Sequence, residues 1–241
     1  MERERRIALY GGTFDPVHAG HIAVARNLLE LFALGEVLFI PAHVAPHKRD
    51  RRVSQGLDRH AMLALATQGE PRFRVSTVEL EAPERPYTVE TLAAFRETLG
   101  SGSRLFFVMG ADSWEEITTW REWERVLSLA EHLVVTRPGY ELPVGHVTPE
   151  VRARVRDLRG ATRAEAEAAL SEPDGPRVYL TDVARVDLSA TDIRRAVAGG
   201  GGAGKLEGLV APPVAEYILK YGLYREADEE SFTDAGNKQT H

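Results

Sequence analysis

The sequence contains no cysteine in 241 residues, which excludes disulfides, cysteine–zinc sites and thiol catalysis. That absence fits a reducing compartment. Nor is there an excess of positive charge: 30 Lys and Arg stand against 36 Asp and Glu, a formal net charge of −6. A bulk electrostatic grip on nucleic acid is not expected, so an anionic ligand must be met by a local basic site. No apolar run approaches the ~18 residues that a membrane-spanning helix needs. The charged start Met1-Glu2-Arg3-Glu4-Arg5-Arg6 leaves no signal-peptide core. Together these absences predict a cytoplasmic protein with neither a membrane nor a nucleic acid as partner.

What is present is an alternation of short apolar runs with helical patterns. Strands are predicted at Ile7–Tyr10, Val37–Ile40, Phe73–Val78, Leu105–Met109, His132–Thr136 and Val178–Thr181. Helices are predicted at His21–Ala33, Asp58–Gln68, Thr88–Leu99, Arg121–Ala130, Thr191–Val197 and Val214–Tyr221. Strands separated by helices imply an α/β fold with a parallel, helix-covered sheet, in which ligands sit beyond the carboxyl ends of the strands. Residues 139–176 break the rhythm and read as an inserted helical hairpin. Val151, Val155 and Leu158 mark its first helix, and Thr162 and Glu165 a capping box opening the second. Arg152, Arg154, Arg156 and Arg159 read as its solvated face. A peripheral hairpin of this kind predicts that removing about Glu141–Asp174 leaves some activity. Residues 1–224 form one expected domain, and the polar, acidic stretch 225–241 is expected to be disordered.

Gly11-Gly12-Thr13-Phe14-Asp15-Pro16-Val17-His18-Ala19-Gly20-His21 lies between the first strand and the first helix. Glycines admit a phosphoryl group close to the backbone, and a helix N-terminus supplies free N–H donors. His18 and His21, three apart, share the first helical turn and point at the same phosphates. The glycines do not fall as G-x-G-x-x-G. The run Gly199–Lys205 mimics a Walker loop, but Leu206 replaces its hydroxyl residue and a helix precedes it, so it reads as a flexible loop.

Further candidates follow the other strand ends. Pro41 and Pro46 forbid a regular helix between them, so His43 and His47 are not a helical metal pair. Thr88 reads as the N-cap of its helix. Gly110 permits close approach after the fourth major strand, and the Asp112 carboxylate suits a ribose diol. Trp120 opens a helix and offers a stacking face, with a first-turn N–H at Arg121. Ser189 and Thr191 are possible caps of a helix that carries Arg194.

These motifs resemble those of the nucleotidylyltransferase superfamily over about residues 6–138 and 178–224. The opening undecapeptide satisfies the form G-G-[TS]-F-D-P-[IV]-H-x-G-H at every position. The segments Pro41–Lys48 and Pro86–Leu92 resemble loops of its nicotinate-nucleotide adenylyltransferase branch. Leu188–Arg194 resembles the closing motif I-S-S-T-x-I-R, with Leu188 and Ala190 as departures. The resemblance implies a Rossmann-like, doubly wound parallel sheet with a C-terminal helical segment. It also implies adenylyl transfer from ATP, accompanied by Mg²⁺, to nicotinate mononucleotide in NAD biosynthesis. By resemblance, ATP is bound by Gly11, Gly12, Thr13, Phe14, His18, His21, Gly110, Asp112, Ser189, Thr191, Ile193 and Arg194. Nicotinate mononucleotide is bound by Lys48, Thr88, Trp120 and Arg121. His18, His21, Lys48 and Arg194 carry the catalytic charge stabilisation, no protein metal site is expected, and a homo-oligomer is left open. Choice of the pyridine carboxylate is assigned to Thr88 and backbone N–H groups, with no arginine or lysine side chain assigned to the pocket. A nicotinamide-mononucleotide or dual-specificity enzyme, a phosphopantetheine adenylyltransferase and a non-catalytic nucleotide sensor are the alternatives.

Overall fold

A computed structural model of the chain describes residues 4–43, 53–100, 102–172, 175–184, 186, 188–200 and 202–225. The strands are β1 (Arg5–Gly12), β2 (Glu36–Pro41), β3 (Phe73–Val75), β4 (Ser103–Gly110), β5 (Glu131–Val135), β6 (Val155–Asp157) and β7 (Val178–Thr181). The helices are α1 (Ala19–Leu31), α2 (Gly56–Thr67), α3 (Thr88–Leu99), α4 (Ala111–Glu115), α5 (Trp123–Leu129), α6 (Pro149–Ala153), α7 (Arg163–Leu170), α8 (Ala190–Ala198) and α9 (Pro212–Lys220). The strands form one parallel sheet in the order β3-β2-β1-β4-β5-β7-β6. The chain runs outward from β1 to β3, then returns to place β4 against β1's other edge. The two outward-turning crossovers diverge there, leaving a crevice at the carboxyl ends of β1 and β4.

Strand side chains alternate between two cores. Ala8, Phe106, Val108, Leu133 and Tyr179 face a layer that includes α1, α7, α8 and α9. Ile7, Leu9, Leu105, Phe107, Val134 and Leu180 face the layer built around α3 and α5. A strand buried on both faces has no polar side to show, which is why these segments read as continuous apolar runs.

The inserted segment is not a helical hairpin. Its first helix, α6, stops at Ala153, and β6 then pairs in parallel with the edge of β7, Val155 opposite Val178. The Leu158 N–H extends the ladder to the Leu180 carbonyl at 2.9 Å. The spacing of Val151, Val155 and Leu158 suits a helix equally well; the unpaired edge of β7 decides the matter. The capping box of α7 is present, with the Glu165 carboxylate accepting from the Thr162 N–H at 2.7 Å. Of the segment's arginines, Arg152 and Arg159 are exposed, as a solvated face implies, whereas Arg154 and Arg156 are half-buried. Arg154 donates to the Pro176 carbonyl at 3.0 Å, Arg156 pairs with Glu172 at 2.8 Å, and Arg159 holds Asp157 at 2.6 Å. In the glycine-rich run, Ala203–Leu206 makes a 3-10 turn and Leu206 is buried. The residue that spoils the Walker pattern is thus an anchor in the core. Among the described residues, no helix is long and apolar enough to cross a membrane.

Candidate active site

The glycine turn carries β1 into α1, and His18 is the N-cap of that helix. Phe14 adopts φ +48° and buries its ring between Tyr10 and Phe39, with its centroid 5.0 Å from the His21 ring. Phe14 is therefore a wall behind His21. The imidazoles of His18 and His21 stack at 3.7 Å. His21 Nδ1 accepts the His18 backbone N–H at 3.2 Å, which fixes its tautomer and leaves Nε2 as the donor. Burial lowers His18 to about 4; burial and the neighbouring His18 lower His21 to about 3. Both rings are neutral at pH 7. A Cβ at Gly20 would lie 3.0 Å from the His18 ring, so the glycine makes room for the stacked pair.

His18 and His21 line a cleft of about 190 Å³ together with Gly110, Arg137 and Leu188. This is the crevice between β1 and β4. A Cβ at Gly110 would meet nothing within 4 Å, so the chain offers open backbone there. An adjoining hollow of about 310 Å³ contains Asp112, Thr136, Arg137 and Tyr140. Arg194, on α8, donates to the Asp15 carbonyl at 2.6 Å and to Thr191 Oγ1 at 3.1 Å. The closing motif is thereby tied to the glycine turn from 179 residues away. Ser189 caps α8, accepting from the Asp192 N–H at 3.1 Å and donating to its carboxylate at 2.5 Å. The Ile193 side chain is fully buried in the core, leaving only its backbone near the site.

A third cavity, of about 530 Å³, is lined by Arg85, Pro86, Tyr87, Thr88, Thr119, Trp120 and Arg121. Thr88, Trp120 and Arg121 are thus brought together, with two adjustments. Tyr87 caps α3 and Thr88 is its first helical residue, while the Glu90 carboxylate accepts the Tyr87 N–H at 2.8 Å. Trp120 and Arg121 do not open a helix. A 3-10 turn over Ile117–Thr119 precedes them, and α5 starts only at Trp123, behind a left-handed Glu122 at φ +49°. The two arginine side chains are a correction to the expected pocket. Arg121 lies over the Tyr87 ring at 4.6 Å, a cation–π contact that pins it at the rim. Its guanidinium lies 4.0 Å from the Glu122 carboxylate, which pairs more closely with Arg125 at 2.9 Å.

Lys48 and His47 lie outside the described residues, as does the stretch 226–241. Among the described residues, no cluster of three or more His, Asp or Glu side chains is arranged to hold a metal.

A family model described as cytidylyltransferase-like matches residues 9–196. A relative from Thermoanaerobacter sp. (strain X514), named a probable nicotinate-nucleotide adenylyltransferase, is 36% identical over 95% of this chain and 99% of its own. One of the same name from Thermomicrobium roseum is 39% identical over 92% of this chain and 93% of its own. The chain belongs to the nicotinate-nucleotide adenylyltransferase family. Its fold is shared with the Plasmodium falciparum nicotinic acid mononucleotide adenylyltransferase, solved in complex with APC. The TM-score is 0.65 at 18% identity, covering 91% of this chain and 97% of that one.

Arg59, beside the glycine turn, escapes a reading of the sequence. It is 1% exposed and donates to the carbonyls of Thr13, Ala42 and Ser54 at 2.8, 2.9 and 3.1 Å. Nothing in Gly56-Leu57-Asp58-Arg59 distinguishes it from a solvated helix arginine. Asp15 was visible within the motif, but its partners were not.

Proposed function

We propose that this chain transfers the adenylyl group of ATP to nicotinate mononucleotide, giving nicotinate adenine dinucleotide and pyrophosphate. The observation that carries the reading is the stacked, neutral His18–His21 pair in the crevice between β1 and β4. The family names of the relatives support the same chemistry. A phosphate oxygen of the mononucleotide attacks the α-phosphorus in line, and the bond to the β-phosphate oxygen breaks as pyrophosphate departs. No protein nucleophile is involved, so catalysis rests on positioning and on donors aimed at the spreading negative charge. His18 and His21 donate neutral N–H bonds to the α- and β-phosphates. Arg194, Ser189 and Thr191 meet the β- and γ-phosphates, and Lys48 adds charge. Gly11, Gly12 and Thr13 let the triphosphate approach the turn, and Gly110 and Asp112 receive the ribose. Mg²⁺ enters as part of the MgATP substrate.

The nicotinate ring lies against Trp120, with Thr88 and Arg121 toward its carboxylate. Arg85 and Arg121 give this cavity positive charge, which favours the carboxylate over an amide of the same shape. The test is pyrophosphate release from ATP with nicotinate mononucleotide and nicotinamide mononucleotide in parallel. The expected kcat/KM ratio favours nicotinate by about 10²-fold, and Arg121→Met combined with Arg85→Met lowers that ratio. Equal use of both mononucleotides overturns the nicotinate assignment; no release with either overturns adenylyl transfer.

A further inference from the structure

Asp15 ends the glycine turn with a carboxylate that is only 4% exposed. It joins three segments that are remote in sequence. Its Oδ1 accepts the Tyr224 hydroxyl at 2.7 Å, and its Oδ2 accepts the Ser54 N–H at 3.2 Å. Its backbone carbonyl accepts Arg194 Nη1 at 2.6 Å. The carboxylate that Tyr224 holds and the carbonyl that Arg194 holds thus belong to one residue.

Tyr224 reaches this position by a deliberate reversal of the chain. Beyond α9, Gly222 turns back at φ +64°, and the Leu223 N–H bonds the Ile218 carbonyl at 3.0 Å. Tyr224 itself holds φ +62°, a left-handed backbone that bulky L residues rarely adopt. Such a conformation persists only where the surroundings over-determine it. Burial, reinforced by the Asp15 charge, pushes the phenol above its ordinary value, so the hydroxyl stays protonated and remains the donor.

We propose that Tyr224 is a positioning residue for Arg194: its hydroxyl, holding Asp15, fixes the carbonyl against which the arginine is braced. The proposal rests on the reading of Arg194 as a polyphosphate clamp. Two of the five guanidinium N–H donors are engaged by Asp15 and Thr191, which sets the direction of those left for an anion. Removing the hydroxyl loosens the turn and blurs that direction, and gives up the 3.9 Å contact of the hydroxyl with Met62 Sδ, while the ring keeps its packing against the core.

The test is a double-mutant cycle of Tyr224→Phe with Arg194→Lys, read by pyrophosphate binding in calorimetry with Mg²⁺ and by kcat. Tyr224→Phe is expected to weaken pyrophosphate binding and lower kcat, each about fivefold, in a protein with an unaltered circular dichroism spectrum. In the Arg194→Lys background the same change is expected to move neither value by more than about twofold, because coupled residues do not act additively. Unchanged binding and kcat in Tyr224→Phe overturn the proposal. So do losses that multiply in the double variant, the result for a side chain that merely stabilises the fold. Asp15→Asn, which weakens the same bond from the other side, replaces Tyr224→Phe in the cycle should that variant not fold. Binding is read without turnover, so a wild-type chain lacking adenylyl transfer overturns the functional reading while the binding cycle still decides the role of Tyr224.

Discussion

Burial holds both imidazoles beside the glycine turn neutral, lowering His18 to about 4 and His21, with His18 adding to the effect, to about 3, against an ordinary value of 6.5. The sign of the pH effect follows. In the unfolded chain each ring takes its proton near 6.5, whereas in the folded chain neither does until much lower pH. Over that window the unfolded state binds more protons, so stability is full above about 6.5 and is lost as pH falls toward 4. The urea midpoint is expected to drop between pH 7 and pH 5, and less steeply in His18→Asn. The imidazole resonances of His18 and His21 are expected to stay flat over the same range in NMR titration. An inflection near 6.5 for either ring contradicts the neutral pair. A bound polyphosphate raises both values by placing negative charge beside them, so the flat profile belongs to the free protein.

At the scale of elements, the site depends on loops being held where strands end. Arg59, on α2, grips the carbonyl of Thr13 after β1 and that of Ala42 after β2, along with Ser54 just ahead of its own helix. Burial lowers its pKa, with the Asp15 charge opposing. Arg59→Met leaves three carbonyls without their donor, and each unsatisfied buried group costs about 1–3 kcal/mol. The expected result is a loss of about 3 kcal/mol or more by urea unfolding, accompanied by reduced turnover. Arg59→Lys recovers only part, since one ammonium cannot reproduce the planar fork. A Met variant as stable as the parent rules out this role. A second element, α3, shows how a local signal is displaced by one residue. Thr88 has the chemistry of a cap, yet Tyr87 occupies the cap, because Glu90 reaches back to the Tyr87 N–H. The shift leaves Thr88 lining the cavity.

At the scale of the molecule, residues 139–176 belong to the sheet. The strand β6 covers the edge of β7, and Leu158, Ala166 and Leu170 are buried in the core. Arg6 at the start of β1 pairs with Glu167 of α7 through two bonds of 2.8 and 2.9 Å, and Arg104 pairs with Glu131 while donating to the Leu170 carbonyl at 2.7 Å. Removing 141–174 therefore uncovers apolar surface and an open strand edge. The expected outcome is a marked fall in thermal midpoint with aggregation by light scattering. A monomeric deletion variant with an unchanged midpoint contradicts the assignment of this segment to the core.

The sequence by itself determined the sheet's character and the chemistry of its opening turn. Strands buried on both faces are largely apolar, and a glycine turn with His18 and His21 at a helix start is spelled out within eleven residues. Strands β1 to β5 and β7 were legible from their own local patterns, whereas β6 was not. Tertiary structure alone decided what depends on a partner distant in the chain. The edge of β7 turned Val155–Asp157 into a strand, the carbonyls of Thr13, Ala42 and Ser54 buried Arg59, and the Tyr87 ring brought Arg121 to the cavity it shares with Thr88 and Trp120. The bonds from Asp15 to Tyr224 and Arg194 span 209 and 179 residues. No local periodicity encodes such a contact, because the hydrogen-bonding groups acquire their partners only when the sheet has brought the ends of the chain together.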